Sequence, residues 1–170
     1  MDQFDETLRK ATANLKENYF QLPIAGSEKV TYRERVYCYE LYHQMRVHWP
    51  KESMYSLCGE IDKGGHPLVR GNGLDNLKPD FLVHVPGTMD ENYLVMEVKP
   101  GNCSSKGIAK DIETLNAFVQ HANYQRAILL IYGTTLDNLS KRVQNELQRA
   151  NGEVEIWTHN TCLFSASREG

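Results

Sequence analysis

The chain has 170 residues, of which 41% are apolar and 24% charged, and a formal net charge of −3. That make-up suits one globular domain with a proper core, and the weakly acidic balance argues against a protein that coats nucleic acid through its whole surface. No stretch reaches the roughly eighteen uninterrupted apolar residues of a membrane span. The acidic start Met-Asp-Gln-Phe-Asp-Glu is unlike a signal peptide, and the cysteines at 38, 58, 103 and 162 have no C-x-x-C spacing. A single cytoplasmic domain over residues 1–170 is expected, with no membrane association, reduced thiols and no zinc knuckle.

In chain order, Phe4, Leu8, Ala11, Leu15 and Tyr19 recur at helical spacing and predict an N-terminal amphipathic helix ended by Pro23. Residues 31–48 predict a second helix, with Thr31 as N-cap, Glu34 at the capping-box position, and Tyr37, Cys38, Leu41 and Met45 on the buried face. Met54 to Ile61 reads as a strand, Gly64-Gly65 as a turn and residues 66–78 as a loop rich in Gly and Asn. Residues 80–85 and 93–98 are rich in β-branched and aromatic residues and are separated by Pro86-Gly87 and Asp90-Glu91-Asn92, which predicts an antiparallel pair. Ile108, Ile112, Leu115 and Val119 mark a helix. The run Ala127–Tyr132 has the continuous apolar character of a central strand covered on both faces. Leu139, Val143 and Leu147 mark a last helix stopped by Gly152; Val154–Thr158 gives a final strand, and Ser165–Gly170 reads as a frayed tail. The order α, α, β, β, β, α, β, α, β places the chain in the α/β class, with a central mixed β-sheet flanked by helices.

The chemistry concentrates at Pro79-Asp80 and Glu97-Val98-Lys99. Side chains alternate along a strand, so Leu94, Met96 and Val98 share one face, and Tyr93, Val95, Glu97 and Lys99 the other. Asp80 begins the neighbouring strand, so antiparallel pairing brings Asp80, Glu97 and Lys99 to one edge of the sheet. Two carboxylates that close raise each other's pKa unless a hard cation such as Mg²⁺ takes their oxygens as ligands. A lysine beside them would then position a water or balance charge building on a phosphate. The plainer reading is a solvated Glu97–Lys99 ion pair worth about 0–1 kcal/mol and a Pro-Asp turn starter. Against it, charges at the rim of so apolar a sheet cost desolvation.

The strings Lys78-Pro79-Asp80-Phe-Leu-Val-His84 and Asn92-Tyr-Leu-Val-Met-Glu97-Val-Lys99, in the order helix, three strands, helix, strand, resemble the PD-(D/E)XK nuclease superfamily; Lys110-Asp111-Ile-Glu113-Thr-Leu115 is similar to the helix after the site in some members. The resemblance covers about residues 31–132. It implies a restriction-endonuclease-like αβββαβ core, here with an extra N-terminal helix and a C-terminal helix-strand extension over 133–164. It also implies a metal-dependent nuclease hydrolysing phosphodiester bonds in DNA, in which Asp80, Glu97 and the Val98 carbonyl hold Mg²⁺, with Mn²⁺ as a substitute, and Lys99 is the catalytic lysine. Many members add a glutamate from the helix before the sheet. Glu34, on the stripe of Cys38, Leu41 and Met45, is preferred; its other reading is the capping box. Glu40 and Glu60 are the alternative acidic residues, each with the plain reading of a solvated side chain.

Lys106 and Lys110 are candidate phosphate contacts, and Lys63, Arg70 and Lys78 lie before the site, but none of the five forms a dense basic cluster. His84 shares the Asp80 face and reads as a half-buried histidine; Trp49 and Trp157 read as packing residues. No Walker-type loop and no G-x-S-x-G elbow occurs. The expected partner is nucleic acid, with a homodimer or a targeting protein as further partners. The rival expectation is a catalytically inactive protein of the same fold that serves as a nucleic-acid- or protein-binding subunit.

Overall fold

A computed structural model describes residues 2–29, 31–61, 74, 77–150, 152–160 and 165–169. In chain order these form α1 (Gln3–Ala13), α2 (Glu17–Phe20), α3 (Glu34–His48), β1 (Ser56–Gly59), β2 (Phe81–His84), β3 (Asn92–Pro100), α4 (Ser105–Ala122), β4 (Arg126–Tyr132), a 3₁₀ turn (Leu136–Asn138), α5 (Lys141–Gln148), β5 (Val154–His159) and β6 (Ser167–Arg168). The expected Gly64-Gly65 turn, most of the 66–78 loop, Lys63, Arg70 and Cys162 lie outside the described residues.

The strands make one six-stranded mixed sheet in sequence order. β1–β2 and β2–β3 pair antiparallel; β3, β4 and β5 are mutually parallel; β6 returns antiparallel to β5. Parallel neighbours need crossovers, and α4 and α5 supply them from one face of the sheet. That face buries Leu82, Val95, Leu129 and Ile131 against Ile108, Leu115 and Phe118 of α4 and Val143 of α5. The opposite face carries α1, α2 and α3, with Leu8, Tyr37, Leu41 and Met45 packed on Leu94, Met96, Val98, Leu130 and Trp157. β4 has helices on both sides, which is why Ala127–Tyr132 are all buried and all apolar.

Four sequence expectations give way. The N-terminal helix breaks after Ala13, because Asn14 caps it: its N–H donates to the Ala11 and Thr12 carbonyls and its side-chain amide to the Lys10 carbonyl at 2.8 Å. The chain re-enters a helix only for Glu17–Phe20. Thr31 is not an N-cap, since it pairs with Leu22 in a β-bridge. α3 starts three residues later at Glu34 behind Arg33, with no side-chain capping bond, which removes the capping-box role from Glu34. Tyr93 packs on the α1–α3 face together with Leu94, not with Val95 and Glu97. The β2–β3 register shifts between Val83↔Leu94 and His84↔Asn92, leaving Tyr93 as the extra residue of a bulge that breaks the alternation.

The expected frayed tail is also ordered over residues 165–169. Ala166 is fully buried, its N–H donates to Thr12 Oγ1 at 2.8 Å, and Ser167 and Arg168 pair with Thr158 and Trp157.

Candidate active site

Asp80, Glu97 and Lys99 meet where β2 begins and β3 ends. The rung Phe81↔Met96, carried one residue further, sets Asp80 opposite Glu97, and the two carboxyls lie within hydrogen-bonding reach of each other. Asp80 Oδ2 accepts the Val98 N–H at 2.8 Å. A residue's N–H and C=O leave the same side of a strand, so the Val98 carbonyl points to that same edge. The residue due opposite Val98 on the next rung is Pro79, which has no N–H to offer that carbonyl. The proline therefore ends the ladder and leaves a backbone oxygen beside two carboxyls.

Lys99 is held from two layers. Its Nζ donates to Glu34 Oε2 at 2.9 Å, from the first turn of α3, and lies 3.3 Å from Asp111 Oδ2 on α4. The ammonium is therefore pinned between the helices that cover opposite faces of the sheet. Asp111 is 5% exposed, and its Oδ2 has the ion pair but no hydrogen bond. Glu97 is 7% exposed.

This burial sets the electrostatics. Desolvation pushes the Glu97 carboxyl up to about 9, and the charges of Asp80 and Asp111 add to the rise. Desolvation also raises Asp80, offset in part by the Val98 N–H and reinforced by Glu34. Asp111 goes to about 6, again from desolvation, with Lys99 opposing and Glu34 and Asp80 adding to it. Burial alone would lower Lys99, but Asp111, Glu34 and Asp80 outweigh it and hold the ammonium charged. The Asp80–Glu97 pair keeps one shared proton near neutral pH, a load carried by the pair and not by either residue alone.

The other acidic candidates stand apart. Glu40 is half-buried and accepts a hydrogen bond from Gln44 Nε2 at 2.8 Å along its own helix. Glu60 is exposed beyond the end of β1; its N–H donates to the Asp80 carbonyl at 3.0 Å, while its carboxylate faces Arg35 at 3.4 Å. Its φ of 31° is a left-handed conformation that strains a residue with a Cβ. Lys106 and Lys110 are exposed on α4. Lys110 precedes the inward-facing Asp111 by one residue, about 100° around the helix, and so looks to solvent. His84 is buried with its Nε2 3.7 Å from Cys58 Sγ.

Asp111 is the member of this cluster that was not among the expected site residues. It falls three residues after Ile108 and four before Leu115, inside the apolar stripe of α4. A carboxylate in such a stripe signals a buried partner.

The donor set suits Mg²⁺ better than a metal that demands a full protein cage. Among the described residues no three His, Cys, Asp or Glu side chains are grouped to hold a metal ion. Mg²⁺, however, is commonly bound through one or two carboxylates, keeping waters and substrate phosphate oxygens for its other positions. Asp80, Glu97 and the Val98 carbonyl match that demand. With Glu34 and Asp111, Asp80 and Glu97 make four carboxyl groups about a single ammonium, an acidic excess that a divalent cation would balance.

No protein-family model, curated protein or solved structure matches this chain.

Proposed function

We propose that this protein is a Mg²⁺-dependent nuclease of the PD-(D/E)XK type with a restriction-endonuclease-like core, acting on DNA. The observation that carries the reading is the meeting of Asp80 and Glu97 across the β2–β3 rim with Lys99 pinned beside them by Glu34 and Asp111.

Asp80, Glu97 and the Val98 carbonyl are the groups that would hold the ion. When bound there, Mg²⁺ supplies Lewis acidity for polarising a phosphoryl oxygen and for providing hydroxide near neutral pH. The chain's own residues do the rest. The Val98 N–H fixes the rotamer of Asp80. Lys99 has three donor protons; Glu34 holds one of them and Asp111 lies beside the ammonium. A remaining proton is available to an attacking water or a non-bridging phosphate oxygen, and the positive charge is placed where negative charge builds during in-line displacement. Because its two anchors come from opposite faces of the sheet, the ammonium is set before substrate arrives and little reorganisation is needed.

The test is incubation of supercoiled plasmid, single-stranded DNA and RNA with Mg²⁺, Mn²⁺ or EDTA. Cleavage is expected with either metal and lost in EDTA. Glu97→Gln should abolish it, Lys99→Met should slow it by about 10²–10³-fold, and Asp111→Asn, which only loosens the lysine, by roughly 10–100-fold. Equal cleavage by wild-type and Glu97→Gln preparations refutes the proposal.

One observation favours the rival reading of a non-catalytic binding subunit: Lys99 is already engaged by two carboxylates, as it would be in a purely structural ion pair. Calorimetry separates the two. Binding of Mg²⁺ that disappears in Asp80→Ala supports the nuclease, and no binding at millimolar metal supports the subunit.

A further inference from the structure

Beside Asp80, on the α3 side of the rim, lies an open groove of about 380 Å³ whose walls include Tyr39, Tyr42, Gly59, Glu60, Asp80 and Phe81. Its floor is aromatic: the Tyr42 and Phe81 rings are stacked, with centroids 6.4 Å apart and an interplanar angle of 22°. Above that floor, Tyr39 is 64% exposed and presents its ring to solvent. Tyr39 and Tyr42 are three residues apart on α3, and Arg35 and Arg46 extend the same stripe at positions −4 and +7 from Tyr39. Arg35 is 73% exposed and stands against Glu60 at the groove. At ~1.5 Å per residue the two arginines bracket the rings over roughly 16 Å.

We propose that this stripe and groove form a stacking track for single-stranded nucleic acid, with Tyr39 as the platform for an unstacked base and Arg35 and Arg46 as the flanking phosphate contacts. The inference rests on the nuclease reading, because Asp80 lines both the groove and the candidate metal site, so a strand whose base lies on Tyr39 would run toward that site. The chemistry selects a single strand. Bases within a duplex are stacked on one another and cannot reach an aromatic side chain, whereas a free base presents its π-face to one. A duplex would be held through phosphates alone, and this face offers two arginines, one of them already beside Glu60. The acidic wall is tolerated by a base, whose amino and imino groups donate hydrogen bonds, far better than by a phosphate.

Fluorescence anisotropy in EDTA, where no turnover is needed, tests the track. The probes are a short fluorescein-labelled single-stranded DNA, an RNA of the same sequence, and the corresponding DNA duplex. Tighter binding of a single strand than of the duplex is expected, with the DNA and RNA arms showing which sugar is preferred. Tyr39→Ala should weaken single-strand binding about tenfold, the loss of one base-stacking contact, whereas Tyr39→Phe should bind like wild type because stacking does not use the hydroxyl. Tyr39 is exposed, so both variants should melt with the wild type, which separates lost stacking from lost fold. Duplex binding as tight as single-strand binding, or unchanged binding in Tyr39→Ala, overturns the track. Metal-dependent cleavage with unchanged binding in Tyr39→Ala refutes the track alone, and single-strand binding without cleavage refutes the nuclease reading alone.

Discussion

In metal-free protein, Glu97→Gln should stabilise the fold at alkaline pH. Glu97 is buried beside Asp80, and desolvation together with the Asp80 and Asp111 charges takes its carboxyl from 4.5 up to about 9. For an acid raised in the folded state, the native protein holds a proton that the unfolded chain has released, so stability falls as pH rises between the two values. At ~1.4 kcal/mol per pH unit, the step from about pH 6 to about pH 8.5 costs about 3 kcal/mol. For a chain of this length that is a fall in Tm of about 6–12 °C. The glutamine side chain of the variant has no proton to lose in this range and would donate its amide to Asp80. Thermal melts in EDTA at both pH values should therefore show the fall in wild type and not in Glu97→Gln. Mg²⁺ at about a hundred times its Kd should restore ~3 kcal/mol to the wild type at the higher pH and nothing to the variant. A wild-type Tm that is flat across that interval in EDTA, or that drops equally in the variant, would refute the buried shared-proton pair.

Two further predictions concern the scaffold. His159 is buried, with its Nδ1 2.7 Å from the Tyr37 hydroxyl, and desolvation lowers it from 6.5 to about 4. The unfolded chain takes up this proton first, so the contribution of His159 to stability is complete above about pH 6.5 and falls by about 3 kcal/mol as pH drops to about 4; in His159→Gln that part of the acid loss should vanish from urea denaturation curves. Arg126 is 15% exposed and contacts Asp2 at 2.6 Å, Asp5 at 2.8 Å and Glu155 at 2.8 Å, tying the start of the chain to β4 and β5. Arg126→Met leaves the three carboxylates crowded, Asp2 and Asp5 without this ion pair and Glu155 with only the more distant Arg168 at 3.4 Å, at a cost of about 3 kcal/mol; calorimetric melting within a degree or two of wild type would contradict it.

The sequence carried the long elements because their periodicities are strong. Ile108, Ile112 and Leu115 could only be one helix face, and Ala127–Tyr132 only a strand covered twice. What it could not carry depended on contacts between distant residues. The order in β6 comes from Thr12 and Arg9 of α1 gripping Ala166, and no local pattern in Ser165–Gly170 announces that grip. Likewise Thr31 had a good capping-box sequence, but a backbone bridge to Leu22 competed for it. Once Thr31 is taken, Glu34 has no reciprocal cap to make and its carboxylate is available to Lys99.

That last exchange bears on how the rim is built. A carboxylate in the first turn of a helix already gains from the exposed N–H groups there, so Glu34 is held near Lys99 by α3 at little cost. Asp111 gains nothing comparable: it sits mid-helix, buried, and its desolvation is offset only by the Lys99 ion pair. Glu97 is costlier still, since its nearest charged neighbours include Asp80 and Asp111, both of its own sign. A protein under pressure for stability alone would replace Glu97, Lys99 and Asp111 together with apolar residues that complete the β3–α4 packing, because exchanging a whole buried charged cluster is often neutral or favourable whereas removing one partner of a buried pair is not. Two buried acids kept against that gradient, at a strand end where Pro79 also gives up a ladder hydrogen bond, make sense if a divalent cation repays the repulsion. Glu97→Leu with Lys99→Met and Asp111→Leu should then give a metal-free protein that melts at least as high as the wild type and neither binds Mg²⁺ nor cleaves.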